Sequence, residues 1–189
     1  PLAYGESRIE GLMEAHAADH DRIAEQMKLP VSNFAPSAYR YDASEQFDNY
    51  QRLLIHILCE VQTLGFKVAV FVAGHYPLID HARAALGLFH QIRWNGVRAR
   101  MIGWAFTGHE LVLDEFPTAG YHAGFWETSM MLALRPELAN MSALPVDKSA
   151  KLVGVLSPEP PQDSSAEFGE RAVKLIVARA VAQARDRLA

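Results

Sequence analysis

The chain has 189 residues, enough for one domain with a real hydrophobic core; half of them are apolar and 21% are charged, the balance of an ordinary globular protein. A net charge of −4 gives no electrostatic reason to expect nucleic acid or an anionic membrane surface as a partner, and no apolar run approaches the roughly 20 residues of a membrane span. The single cysteine, Cys59, excludes an internal disulfide framework and fits a reducing, cytoplasmic compartment; set in the apolar run 53–64, it reads as a small buried hydrophobe, not a nucleophile.

Taken in order, the chain opens Pro1-Leu2-Ala3-Tyr4-Gly5, with no initiator methionine or charged leader, and is expected to be cut from something longer. Residues 7–27 carry Ile9, Leu12, Met13, Ile23 and Met27 at helical spacing. His16 and His20 share a face of that helix at a spacing metal sites use, although a solvated acidic face with Glu10, Glu14, Asp19 and Asp21 is the preferred reading. Residues 28–43 form a long surface loop in which Tyr39, Arg40 and Tyr41 line a site or pack on a neighbouring protomer. Ser44 is the expected N-cap of a helix whose stripe runs Phe47, Tyr50, Leu53, Leu54, Ile57, Leu58, Val61 and Leu64, ended by Gly65.

Residues 67–73 are apolar and β-branched without alternation, as in a strand buried on both faces. Gly74-His75-Tyr76-Pro77 breaks the strand, and a helix follows over 78–92 with Pro77 suited to its first turn. This order predicts an α/β layered fold with a parallel sheet. A second strand is expected over 97–104, irregular chain with a short strand at 110–113, and a helix over 127–134 stopped by Pro136. Residues 137–144 read as a loop or short turn and 157–165 as a loop rich in Pro and Ser. Ser164-Ser165-Ala166-Glu167 is a capping box for a last helix reaching nearly to Ala189.

Two places concentrate chemistry. In open parallel sheets ligands bind beyond the carboxyl ends of strands, and His75 stands there, after a glycine that lets the chain turn sharply. The second is the loop from Tyr121 to Ser129. Glu127 opens a helix, where free N–H groups favour a carboxylate acting as base or metal ligand. His122, across a Gly-containing turn, is a natural acid–base partner because imidazole titrates near neutrality. The plainer reading, with Glu127 capping its helix and His122 bonded to backbone, stands beside it. Trp94, Trp104, Tyr39 and Tyr41 are candidates for pocket walls or for core.

Gly74-His75 after a buried strand, the string HAGFWETSMMLALRPEL from His122 to Leu138, and the segment from Asp163 to Glu170 together resemble the downstream signatures of the creatininase family of metal-dependent amidohydrolases. The resemblance covers most of the chain. It implies a single domain over 1–189, with a three-layer α/β/α fold and a largely parallel sheet. It implies hydrolysis of a C–N bond in a small or cyclic amide by a metal-activated water, with Zn, Mn or Fe as the divalent ion. It also implies a homo-oligomer, in many members a hexamer, with a small-molecule amide as partner and neither nucleic acid nor membrane. By the same match His75 is a metal ligand, His122 the histidine beside the scissile amide, and Glu127 the glutamate acting on the metal-bound water.

The family's first signature, a Glu-x-His-Gly-x-His followed by an Asp, is absent; Glu14-Ala15-His16 with Asp19 only mimics it. Some members carry a ligand carboxylate two residues after the histidine matching His75, where this chain has Pro77. The expectation is that the signature has been cut away upstream of Pro1 and that the chain as given binds metal weakly or not at all. The alternative is a member that keeps the fold as a binding or assembly subunit without chemistry.

Overall fold

The structure, a computed structural model, describes residue 18 and residues 20–26, 28–34, 43–94, 97–98, 100–152 and 154–189. The readings of the N-terminal turn, of His16 with Glu10, Glu14 and Asp19, and of Tyr39, Arg40 and Tyr41 lie outside the described residues, as does the Trp94 side chain. Contacts group the chain into two compact units, Pro1–Ala69 with Asp80–Gly103 and Val70–Ile79 with Trp104–Ala189.

In the first unit helix α1 (His20–Gln26) buries Ile23 and Ala24. Helix α2 (Ala43–Thr63) starts one residue earlier than expected, so Ser44 lies in its first turn and is not its cap. Its end is as expected. Gly65 takes φ +88°, which a glycine adopts without a Cβ clash, and the Gly65 and Phe66 N–H groups donate to the carbonyls of Gln62 and Val61. The apolar stripe is only partly covered: Leu54 and Leu58 are buried, whereas Leu53, Ile57 and Leu64 are exposed. Helix α3 (Leu78–Gln91) contributes Ala82, Ala85, Leu86 and Phe89 to this unit's core, and its His81 ring meets Phe47 and Tyr50 of α2 at 4.9 and 6.0 Å.

Strand β1 (Val68–Val72) pairs with β4 (Ile102–Phe106) in a two-stranded sheet. The Ile102 N–H donates to the Lys67 carbonyl, and further along the Ala73 N–H donates to the Phe106 carbonyl, both at 2.9 Å. Partners therefore advance together, which makes the pair parallel. The α/β class with parallel strands is thus the fold of this chain. Strands β2 (Arg93–Trp94) and β3 (Val97–Arg98) form an antiparallel pair of their own, Arg93 opposite Arg98. The single strand expected over 97–104 is therefore broken into β3 and β4. The cause is the Gln62 side chain, whose Oε1 accepts from the N–H groups of Arg100 and Met101 and takes them out of any ladder. β1 also departs from expectation: Val70 and Val72 are 41% and 61% exposed, so one of its faces is not buried.

In the second unit the expected strand at 110–113 is replaced by a 3₁₀ turn, His109–Leu111, and further tight turns. Local hydrogen bonds win there: Val112 N–H donates to the His109 carbonyl, Phe116 N–H to Val112, and Thr107 N–H to the Glu110 carboxylate. Helix α4 (Phe125–Leu134) begins two residues before Glu127, and 3₁₀ turns follow at Pro136–Leu138 and Met141–Ala143. Helix α5 (Ala166–Leu188) is capped by Ser165, which accepts from Phe168 N–H, one residue later than the capping box implies; the Ser164 hydroxyl instead donates to the Phe125 carbonyl. Between α4, α5 and the turns lies a core of Val112, Phe116, Ala119, Trp126 and Ala172. Within it the Phe116, Trp126 and Phe168 rings meet at 5.1–6.0 Å, distances at which tilted aromatic pairs attract. Among the described residues no helix is long and apolar enough to cross a membrane.

Candidate active site at the mouth of helix α4

The loop that enters α4 is held by its backbone before any side chain is considered. His122 forms an isolated antiparallel bridge with Leu156, whose N–H donates to the His122 carbonyl at 2.9 Å. Ala123 then takes φ +52°, the left-handed region that a residue with a Cβ rarely enters. Gly124 occupies the N-cap and has no side chain to offer, so the first-turn N–H groups lack the usual cap. Glu127 reaches back past it: its Oε2 accepts from the Ala123 N–H at 2.8 Å. The donor is the residue before the N-cap, so the bond does not cap the helix; it fixes the carboxylate against the loop.

The same Oε2 stands 3.8 Å from His122 Nδ1, an ion-pair distance with both side chains about half exposed. Glu127 is thus bonded to the loop backbone and stands at ion-pair distance from His122. The other oxygen, Oε1, accepts no hydrogen bond from a described residue. Glu127 and Ala123 also line an open cavity of about 330 Å³, bordered by residues of the 128–144 segment and Pro161.

A third group, His109, is one that no sequence pattern singles out. Its ring lies 4.8 Å from that of Tyr76, the neighbour of His75, and its Nδ1 shares a 2.8 Å hydrogen bond with the Thr107 hydroxyl. It also covers Gly120, where φ is +96° and a Cβ would come within 2.6 Å of the imidazole. Burial pushes the His109 pKa below the usual imidazole value, against the opposing pull of the Glu110 and Glu127 carboxylates. The signal that could have found it is positional. His75 follows the last residue of β1 by three, and His109 follows the last residue of β4 by three, so both stand beyond the carboxyl ends of parallel strands.

His75 itself is half-buried, its carbonyl accepting from the Leu78 N–H at 3.0 Å. The structure brings His122 and Glu127 together and links the loop of His75 to theirs through Tyr76, His109 and Gly120. It does not bring together a metal centre: among the described residues no three of His, Cys, Asp and Glu group closely enough to hold an ion. The described residues alone therefore do not complete the metal site that the resemblance implied. Trp104 is half-buried under the Arg187 guanidinium, 4.5 Å from its ring centroid, and does not line the cavity. Cys59 is a free thiol whose pKa is raised by burial and then by Glu60, the reverse of an activated nucleophile.

These features define an α/β protein with a histidine–glutamate pair on a helix mouth and two further histidines beyond the carboxyl ends of parallel strands. The family model described as creatinine amidohydrolase matches residues 10–184, and the chain belongs to the creatininase family. No curated protein matches it. Among solved structures it is similar to a Mn creatininase (20% identity, 82% of this chain and 68% of that one, TM-score 0.60) and to a creatinine amidohydrolase (19% identity, 87% and 77%, TM-score 0.58). It is also similar to a mutant creatininase complexed with creatine (18% identity, 74% of this chain, TM-score 0.58), of whose length it spans 64%. At these identities the likeness is one of fold.

Proposed function

We propose that this chain is an amidohydrolase that cleaves a C–N bond in a small or cyclic amide, with Glu127 and His122 as its proton-handling pair. The observation that supports it is the carboxylate anchored by Ala123 N–H with an imidazole 3.8 Å away. Water attacks the amide carbonyl and gives a proton to Glu127; His122 supplies one to the nitrogen as the C–N bond breaks, and the amine leaves. Each such transfer by a positioned side chain contributes about 10²–10⁴-fold. Because the described residues do not assemble a metal site, no step is assigned to an ion. A divalent ion, when bound, would activate the water, and a zinc site needs three or four protein ligands, of which His75 is the one proposed in this chain.

The test is amine release from creatinine and a panel of small cyclic amides. Glu127→Gln is expected to lower turnover by about 10²–10⁴-fold. Wild-type turnover in that variant would overturn the assignment.

A further inference from the structure

The cavity against Glu127 says which amide. Its volume, about 330 Å³, leaves room for an amide group and an arm beyond it, and one side is open to solvent. Its polar lining is Glu127, Thr128 and Asn140; the rest is apolar, with Met131, Met141 and Leu144 prominent. Asn140 Oδ1 already accepts from the Ser142 hydroxyl at 2.7 Å, which leaves the Asn140 amide N–H groups to donate. Glu127 Oε1 is an acceptor with no partner among the described residues. An acceptor and a donor in one cavity match the N–H and C=O of a single amide group. Among the described residues no Lys or Arg lines the cavity and the charged group in its wall is a carboxylate, so an acidic substrate is repelled. Two flexible thioethers make an adaptable wall for a chain of methylenes.

Resting on the amidohydrolase reading above, we infer that the substrate is an uncharged or cationic amide with an aliphatic arm, its N–H on Glu127 and its arm against Met131, Met141 and Leu144.

The test reads binding separately from turnover. The chain carrying ¹³C-methyl methionine is titrated with N-butylformamide, N-methylformamide and N-formyl-β-alanine, which ends in a carboxylate. N-Butylformamide is expected to shift the Met131 and Met141 methyl signals and to bind at least about tenfold more tightly than N-methylformamide, since three more methylenes are buried. The acidic compound is expected to bind about tenfold or more weakly than the butyl one. Leu144→Trp, which fills the cavity, should bring the butyl-to-methyl ratio towards one. Equal affinity for the butyl and methyl amides, shifts that bypass both methionines, or acceptance of the acidic arm would overturn the inference. If long-arm amides bind here and none is hydrolysed, the proposed activity fails and the pocket stands. Hydrolysis indifferent to the arm would leave the activity standing and overturn the pocket.

Discussion

His109 is the residue on which the loops of the candidate site converge, touching Tyr76 on one side, Gly120 on another and the Thr107 hydroxyl through Nδ1. Its lowered pKa makes this visible in stability. Burial disfavours the imidazolium in the folded chain, while the unfolded chain protonates at the ordinary value of about 6.5. Stability from this group is therefore complete above that value and is lost as pH falls through it, because the unfolded state then binds the extra proton. His109→Gln removes the titration at similar size. Between about pH 7.5 and pH 5.5 the urea midpoint of the variant should fall by less than that of the wild type. Equal falls in the two proteins would show that His109 is not held neutral by its surroundings.

At the scale of elements, the position of Glu127 depends on how closely α4 and α5 approach. Gly169 of α5 permits it: a Cβ there would stand 2.0 Å from the Ser129 carbonyl oxygen, 2.5 Å from its carbon and 2.9 Å from the Ala133 Cβ. Two of these atoms are backbone, so no rotamer change relieves the clash. Ser129 is fully buried, and its hydroxyl accepts from the N–H of Ser165, the residue that caps α5, so the two helices are locked at the same level. Gly169→Ala should therefore destabilise by about 1–3 kcal/mol and reduce turnover as α4 shifts. Gly87→Ala is the matched control. It lies in α3 with nothing within 4 Å of the added carbon, and exchanging glycine for alanine within a helix should stabilise by about 0.5–1 kcal/mol. Urea denaturation of the two variants decides the matter, and a Gly169→Ala protein as stable as the wild type would sink the close-approach argument.

For the molecule as a whole, what was legible in the sequence was what neighbours in sequence decide. The helices at 43–63 and 166–188, β1, the left-handed Gly65 and the pairing of His122 with Glu127 all follow from spacings of a few residues. What escaped was set by partners far along the chain. Gln62 divides the strand expected at 97–104, and His109 meets Tyr76 and Gly120 across gaps of 33 and 11 positions that no periodicity encodes. The exposure of β1 belongs to the same class. A parallel strand is ordinarily covered on both faces, yet Val70 and Val72, two apart and so on one face, are open to solvent. Burying a valine fully stabilises by about 1.5–3 kcal/mol; with 41% and 61% of the two exposed, covering both offers about that much in total, a factor of roughly 10–100 in affinity. A second copy of the chain is the cover we predict, in line with the homo-oligomer that the family resemblance implied. In sedimentation at tens of micromolar the 21.0 kDa chain should run as an oligomer. Val70→Lys with Val72→Lys should raise its dissociation constant about tenfold or more and reduce binding of an apolar dye. A wild-type mass of 21.0 kDa at every concentration, or an assembly indifferent to the two lysines, would show that this face of β1 is not where copies meet.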